Sequence, residues 1–172
     1  MAEICDIYDI KGNKTGEVRM RGEPLKEGQY QLASNIWIFN SNYEVLIQKR
    51  SHLKRTSPNM WSTHGGSVSA GETSFQACIR EAFEEIGIIL RAEAVKPLVR
   101  DTGEKLIMDN YIVFQDFDIS SAVLQKEEVS EIKWVSLDEL KDMVIRNEFY
   151  KHRELSYVID YINNHRIENK KS

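Results

Sequence analysis

Residues Gly66 to Ile88 read G-S-V-S-A-G-E-T-S-F-Q-A-C-I-R-E-A-F-E-E-I-G-I. Seven identities stand at fixed offsets in the pattern G-x5-E-x7-R-E-x-x-E-E-x-G: Gly66, Glu72, Arg80, Glu81, Glu84, Glu85 and Gly87. At average residue frequencies, a chance match in a chain of this size is roughly one in a million. The stretch divides into a glycine loop and a helix. At about 100° per residue, Phe75, Cys78, Ile79, Ala82, Phe83 and Ile86 fall on one side of that helix, as an apolar stripe that calls for burial. Glu81, Glu84 and Glu85 are expected on the other side. Like charges three and four residues apart repel by a few tenths of a kcal/mol per pair unless a cation sits among them. Gly87 is placed to end the helix in a left-handed cap. Gly65, Gly66 and Gly71 give a loop whose backbone can approach a ligand closely.

Outward from this stretch, alternation and turn residues mark further elements. Glu3 to Ile10 is strand-like, Lys11-Gly12-Asn13 turns, and Glu17 to Met20 is placed to return as its partner. Ile36 to Phe39 and Val45 to Ile47 are apolar on both faces around Asn40-Ser41-Asn42, a buried strand pair with a short turn. A hairpin about Asp101-Thr102-Gly103 joins a strand near Val95 to Val99 with a longer one near Leu106 to Phe117. Ile132 to Val135 is one more strand. Ser136 with Glu139 then forms a capping box for a helix through about Arg146, and Leu155, Val158, Ile159 and Ile162 mark a last amphipathic helix. Lys170-Lys171-Ser172 is expected to fray. These elements predict one α/β domain over residues 1–172, with a strand pair at about 3–20 and C-terminal helices at about 137–168.

The balance of the chain excludes several classes of function. A formal charge of -4 argues against a nucleic-acid polymer as partner, since phosphate-backbone binders carry a basic excess. No apolar run approaches the roughly 20 residues that span a bilayer, and the first six residues, M-A-E-I-C-D, lack the basic start and apolar core of a signal peptide. The 2 cysteines have neither disulfide-framework nor zinc spacing, so a reducing cytoplasm is the expected location. Cys78 lies in the apolar stripe and reads as a small buried hydrophobe.

Three clustered carboxylates behind a glycine loop are hard oxygen ligands suited to Mg²⁺ or Mn²⁺. Such ions screen the charge of a diphosphate and acidify water, while a neighbouring carboxylate can take a proton. The pattern resembles that of the Nudix hydrolases. The resemblance implies an α/β/α sandwich with a mixed β-sheet and a metal-dependent pyrophosphohydrolase. Its substrate would be a small-molecule diphosphate, a nucleoside diphosphate linked to another group or a nucleoside triphosphate. It also implies Glu81, Glu84 and Glu85 as metal ligands, with Glu85 or Glu81 nearest the attacking water, and the carbonyl of Gly65 as a further ligand. Arg80 is implied as an organiser paired with Glu72 or another motif carboxylate, in keeping with its forked donor geometry. Ala82 departs from the larger aliphatic residue usual in the family. A homodimer is compatible with this reading.

Many members use one more glutamate outside the motif. Glu127, Glu128 and Glu131, expected in a loop ahead of the Trp134 strand, are the candidates here, with Glu128 preferred. Lys49, Arg50, Lys54 and Arg55 form a basic cluster for outer phosphates or for solvent. His64 reads as a loop residue that can reach a phosphate, and Tyr30, Trp37, Tyr43 and Trp61 as core aromatics or stacking residues. W-I-F-N, Q-K-R-S and P-N-M-W, within residues 37–61, are similar to Nudix proteins related to isopentenyl diphosphate isomerase. Yet Gly65 and Ser67 stand where that enzyme has a cysteine and a histidine, and Gln31 and Pro24 where it has two more histidines. An isomerase is therefore disfavoured, because function follows the site rather than the fold. A non-catalytic nucleotide-binding module is the other alternative. Without metal, its acidic cluster would repel phosphates.

Overall fold

The computed structural model describes residues 3–169, so the expected fraying of Lys170-Lys171-Ser172 lies outside the described residues. The chain opens with an antiparallel hairpin, β1 (Ile4–Tyr8) and β2 (Lys14–Met20), with Ile4 opposite Met20. Next come β3 (Gln31–Phe39), β4 (Val45–Arg50), the short β5 (Trp61–Ser62) and β6 (His64–Ser67), then α1 (Ser74–Ile86). After it run β7 (Lys96–Thr102), β8 (Leu106–Phe114), β9 (Val129–Val135), α2 (Leu137–Ile145) and α3 (Leu155–Asn169). The expected strand at Leu106 to Phe117 stops at Phe114. Beyond it Phe117 packs back on the core, and its carbonyl accepts from Trp134 Nε1.

A mixed seven-stranded sheet is built on β3. It runs parallel to β8 over its whole length, from Gln31 opposite Leu106 to Phe39 opposite Phe114. Antiparallel β6 lies along the first half of β3, from Ala33 opposite Ser67 to Ile36 opposite His64. Every residue of β3 from Leu32 to Phe39 is buried, so its two-residue period feeds two cores. Ile36 and Ile38 join Leu46, Tyr111 and Val113 against Cys78, Ala82 and Ile86 of α1. Trp37 and Phe39 join Val45, Ile47 and Ile112 against Leu140 and Met143 of α2 and Val158 and Ile162 of α3. The result is the expected α/β/α layering. Each fully buried aliphatic side chain in these cores contributes roughly 1.5–3 kcal/mol.

Other local details differ from the sequence reading, and the turn expected about Asp101-Thr102-Gly103 falls later, since Asp101 and Thr102 still pair with Met108 and Ile107. Phe83 is 56% exposed, while Glu85 is only 5% exposed. The buried face of α1 is rotated toward Ala77, Cys78, Ala82 and Glu85, because the helix packs over β6 rather than over an open apolar surface. At α2, Ser136 accepts from Glu139 N–H, but the Glu139 carboxylate turns to Lys133 instead of closing the box. No helix among the described residues is long and apolar enough to cross a membrane.

Candidate active site

Both ends of α1 are fixed by its own sequence. Thr73 caps the first turn by accepting from Gln76 N–H while the Gln76 side chain accepts from Thr73 N–H, a complete capping box. Gly87, at φ 75°, ends the helix and donates to the Phe83 carbonyl. Between these stops the helix is held against Gly65 and Gly66 of β6. A β-carbon at Gly65 would strike the Ser34 carbonyl and Asn35 Cα of β3, and one at Gly66 would strike the Glu81 carboxylate. These two glycines thus let strand, strand and acidic helix meet with nothing between them.

Arg80 organises the carboxylates. Nε and Nη2 donate to the two oxygens of Glu72 at 2.9 and 3.0 Å, and Nη1 donates to Glu81 at 2.8 Å and to Glu84 at 2.9 Å. Nη2 also reaches the Ser67 carbonyl at 3.2 Å, which ties the loop to the helix. Against the effect of burial, these bonds hold the Glu72 carboxyl below its ordinary value. Glu81 behaves oppositely. Burial, followed by the Glu85 charge, pushes its carboxyl up to about 7 despite Arg80. Glu85 accepts from Gly65 N–H at 3.3 Å. Glu84, with half its side chain exposed, faces solvent at the edge.

Arg80, Glu81, Glu84 and Glu85 line a cleft of about 330 Å³ together with Gly65, Gly66, Lys54 and Glu128. Of the three candidates for the extra glutamate, Glu128 reaches this cleft, where it pairs closely with Lys54. Burial, followed by the nearby Arg50 charge, pushes the Lys54 ammonium down. Glu131 is a correction. It lies in β9 opposite Lys49, exposed rather than in a loop. Glu127 is exposed on a neighbouring trough.

Among the described residues, no three acidic, histidine or cysteine side chains are preassembled as an ion cage, and the Arg80 guanidinium bridges Glu81 and Glu84 instead. The donors present nevertheless fit a hard divalent ion. They are all oxygen, and three motif carboxylates, Glu72, Glu81 and Glu84, share the one Arg80 guanidinium, while Glu85 accepts from Gly65 N–H. Burial first, and the Glu85 charge second, raise the Glu81 carboxyl, and both are costs that a bound cation would offset.

The other candidates are dispersed. Lys49 lies over the Trp61 ring at 5.9 Å, and Arg50 donates to the Thr56 carbonyl at 3.1 and 2.9 Å. Arg55 lines the outer trough, which leaves Lys54 as the cation of that cluster in the cleft. His64 is fully buried in β6, beside Gln48 at 3.1 Å, and so is no loop residue facing a phosphate. Burial pushes the Cys78 thiol up to about 12, which suits its core position. Trp37 is fully buried and Trp61 carries Lys133 over its ring at 4.8 Å, so neither is free to stack on a base. No motif marks Arg21 and Glu3, which the β1–β2 hairpin brings to the cleft wall as an ion pair. At the positions where the isomerase has histidines, Gln31 Nε2 donates to Ser67 Oγ at 2.6 Å, and Pro24 is exposed.

The NUDIX domain family model matches residues 29–155. An uncharacterised Nudix hydrolase of Listeria monocytogenes is 33% identical over 162 residues, covering 94% of this chain and 96% of that protein. An isopentenyl-diphosphate Delta-isomerase of Pectobacterium atrosepticum is 32% identical over 142 residues, covering 78% of this chain and 76% of the isomerase. A crystal structure from Deinococcus radiodurans superposes with a TM-score of 0.75 at 23% identity, covering 92% of this chain and 98% of that one, a likeness of fold.

Proposed function

This chain belongs to the Nudix hydrolase family, and from that membership we propose that it cleaves a phosphoanhydride with the help of Mg²⁺ or Mn²⁺. The substrate class is a nucleoside diphosphate linked to another group, or a nucleoside triphosphate. One observation carries the reading: Glu81, Glu84 and Glu85 share a cleft with Gly65 and Gly66, and Arg80 ties the acidic helix to the loop.

A divalent ion held by Glu81, Glu84, Glu85 and the Gly65 carbonyl would neutralise the diphosphate and make water a better nucleophile near neutral pH. The chain's own groups do the rest. Arg80 keeps Glu72, Glu81 and Glu84 in place through its forked donors. Glu85, buried and fixed by Gly65 N–H, is suited to accept a proton, and Glu81 is the second candidate for that role. Glu128 is the further base or ligand, with Lys54 holding it at the cleft wall. The proposal includes action as one domain in the cytoplasm on a small molecule.

The relatives include an isomerase, so the reaction class is tested with isopentenyl diphosphate. Incubation with the protein and Mg²⁺, followed by proton NMR, is expected to give no dimethylallyl diphosphate, because Gly65 has no thiol and Ser67 is bonded to Gln31. Slow release of phosphate is compatible with a hydrolase. Formation of the isomer overturns the proposal.

A further inference from the structure

Immediately ahead of Gly65, β6 begins with His64, a fully buried histidine to which the cleft chemistry above gives no part. It stands opposite Ile36 of β3 and so shares the α1 face of the sheet, as does Gln48, two residues beyond Leu46 on β4. Glu85 of α1 meets them there.

Hydrogen bonding fixes which ring nitrogen of His64 carries the proton. Gln48 Nε2 donates to the Thr63 carbonyl at 3.2 Å, so Gln48 Oε1 is the atom turned to the ring, 3.1 Å from Nδ1. An amide oxygen only accepts, and Nδ1 therefore donates. The same Nδ1 stands 3.7 Å from Glu85 Oε2, the oxygen that also accepts from Gly65 N–H at 3.3 Å. At 3.7 Å the contact is an electrostatic attraction rather than a hydrogen bond. Two N–H groups of adjacent residues thus face one oxygen of Glu85, which leaves Oε1 for the cleft that this side chain lines.

Packing alone does not account for a histidine here. Nε2 is buried with no hydrogen-bond partner among the described residues. Such a nitrogen loses its hydration with nothing in return, whereas an apolar side chain would extend the core of Ile36, Leu46 and Ile86 on this face. The strand is also held from its other face, by a polar wall behind Gly65. There Glu154 Oε1 accepts from Asn35 Nδ2 at 3.1 Å and lies 3.0 Å from His152 Nδ1, and Thr63 Oγ1 donates to Asn35 at 2.6 Å. Thr63 is thereby fixed, and its carbonyl fixes Gln48 and the ring of His64 in turn.

We propose that His64 is a positioning residue, whose Nδ1–H holds Glu85 Oε2 against β6 so that the carboxylate presents Oε1 to the cleft. The inference rests on the hydrolase reading, which gives Glu85 its work there. Holding one oxygen of a carboxylate sets the direction of the other, and misplacing a reacting group by about 1 Å costs on the order of a hundredfold in rate.

Two measurements on the full chain test this. Nitrogen-15 NMR of the metal-free wild type, with the ring signals of His64 assigned through its own backbone, is expected to show a proton on Nδ1. Steady-state kinetics with Mg²⁺, on adenosine diphosphate ribose and a nucleoside triphosphate, then compare three variants. His64→Asn puts an amide N–H at the place of Nδ1 and is expected to keep kcat within about threefold of wild type. His64→Gln, whose amide reaches the place of Nε2, and His64→Leu are expected to lower kcat by about tenfold or more with KM within about twofold. A proton on Nε2 alone overturns the inference even where no variant folds. Equal kcat in the folded variants overturns it as well, and leaves the hydrolase reading standing. No turnover of either compound by wild type overturns the reading and the inference together.

Discussion

Glu85→Gln is expected to lower kcat by about a hundredfold or more while leaving the fold intact. The substitution keeps the volume of a side chain that is 5% exposed at the meeting of α1 and β6. An amide oxygen can still accept from Gly65 N–H, which the carboxylate now receives at 3.3 Å, so the strand-to-helix contact is retained. The negative charge and the capacity to take a proton are lost. An effect on kcat rather than on KM alone would place Glu85 at the chemical step, since uniform binding losses raise KM without slowing turnover. Circular dichroism and a melting curve matching wild type would establish that the fold is unchanged. Full activity in the variant would remove Glu85 from the mechanism.

The second large effect has opposite signs for stability and activity. The Glu81 carboxyl is raised from 4.5 to about 7 by burial and by the Glu85 charge. Between those two values the folded protein binds more protons than the unfolded chain, so the stability of the metal-free protein falls as pH rises through that window. Above pH 7 the destabilisation is complete and on the order of 3 kcal/mol. Glu81→Gln removes the charge but keeps an acceptor for Arg80. In chelator at about pH 8 the variant is expected to be more stable than wild type, with the difference closing toward pH 5. Mg²⁺ should stabilise wild type preferentially and shrink the gap, because a ligand that binds only the folded state adds to its stability. Turnover of the variant should nevertheless collapse. Denaturant titrations with and without metal measure this, and a variant less stable than wild type in chelator at high pH would contradict the charge balance assigned to the cleft.

Much of the fold was legible because it follows from short-range patterns. The two-sided apolar run at Ile36 to Phe39 requires a strand covered on both faces, and the cores on either side of β3 supply that cover. Gly87 and Thr73 mark the limits of α1 through local cap chemistry. The motif spacing likewise placed Glu72, Arg80, Glu81, Glu84 and Glu85 in one neighbourhood. Periodicity failed where a neighbour overrode it. Phe83 lies on the apolar arc by angle, but β6 takes the adjacent arc and buries Glu85 instead. The reach of the loop glutamates depended on where β9 begins, which no turn residue announces; Val129 pairs with Arg50, so Glu131 falls within the strand and Glu128 at its threshold. Least legible was the polar wall behind Gly65. Asn35 and Glu154 are separated by 119 positions and meet only because the segment before α3 folds back onto β3 and β5. Neither His152 nor Glu154 sits in a motif.

Metal-dependent water attack on a phosphoanhydride is the central claim, and phosphorus NMR in water enriched in heavy oxygen tests it directly. Protein stripped of metal and held in excess chelator is expected to leave adenosine diphosphate ribose and a nucleoside triphosphate intact. Saturating Mg²⁺ or Mn²⁺ should restore cleavage, with the heavy isotope in one of the two phosphate products and none in the carbon skeleton. Cleavage at the same rate in chelator, or intact substrate with both metals present, would contradict the account.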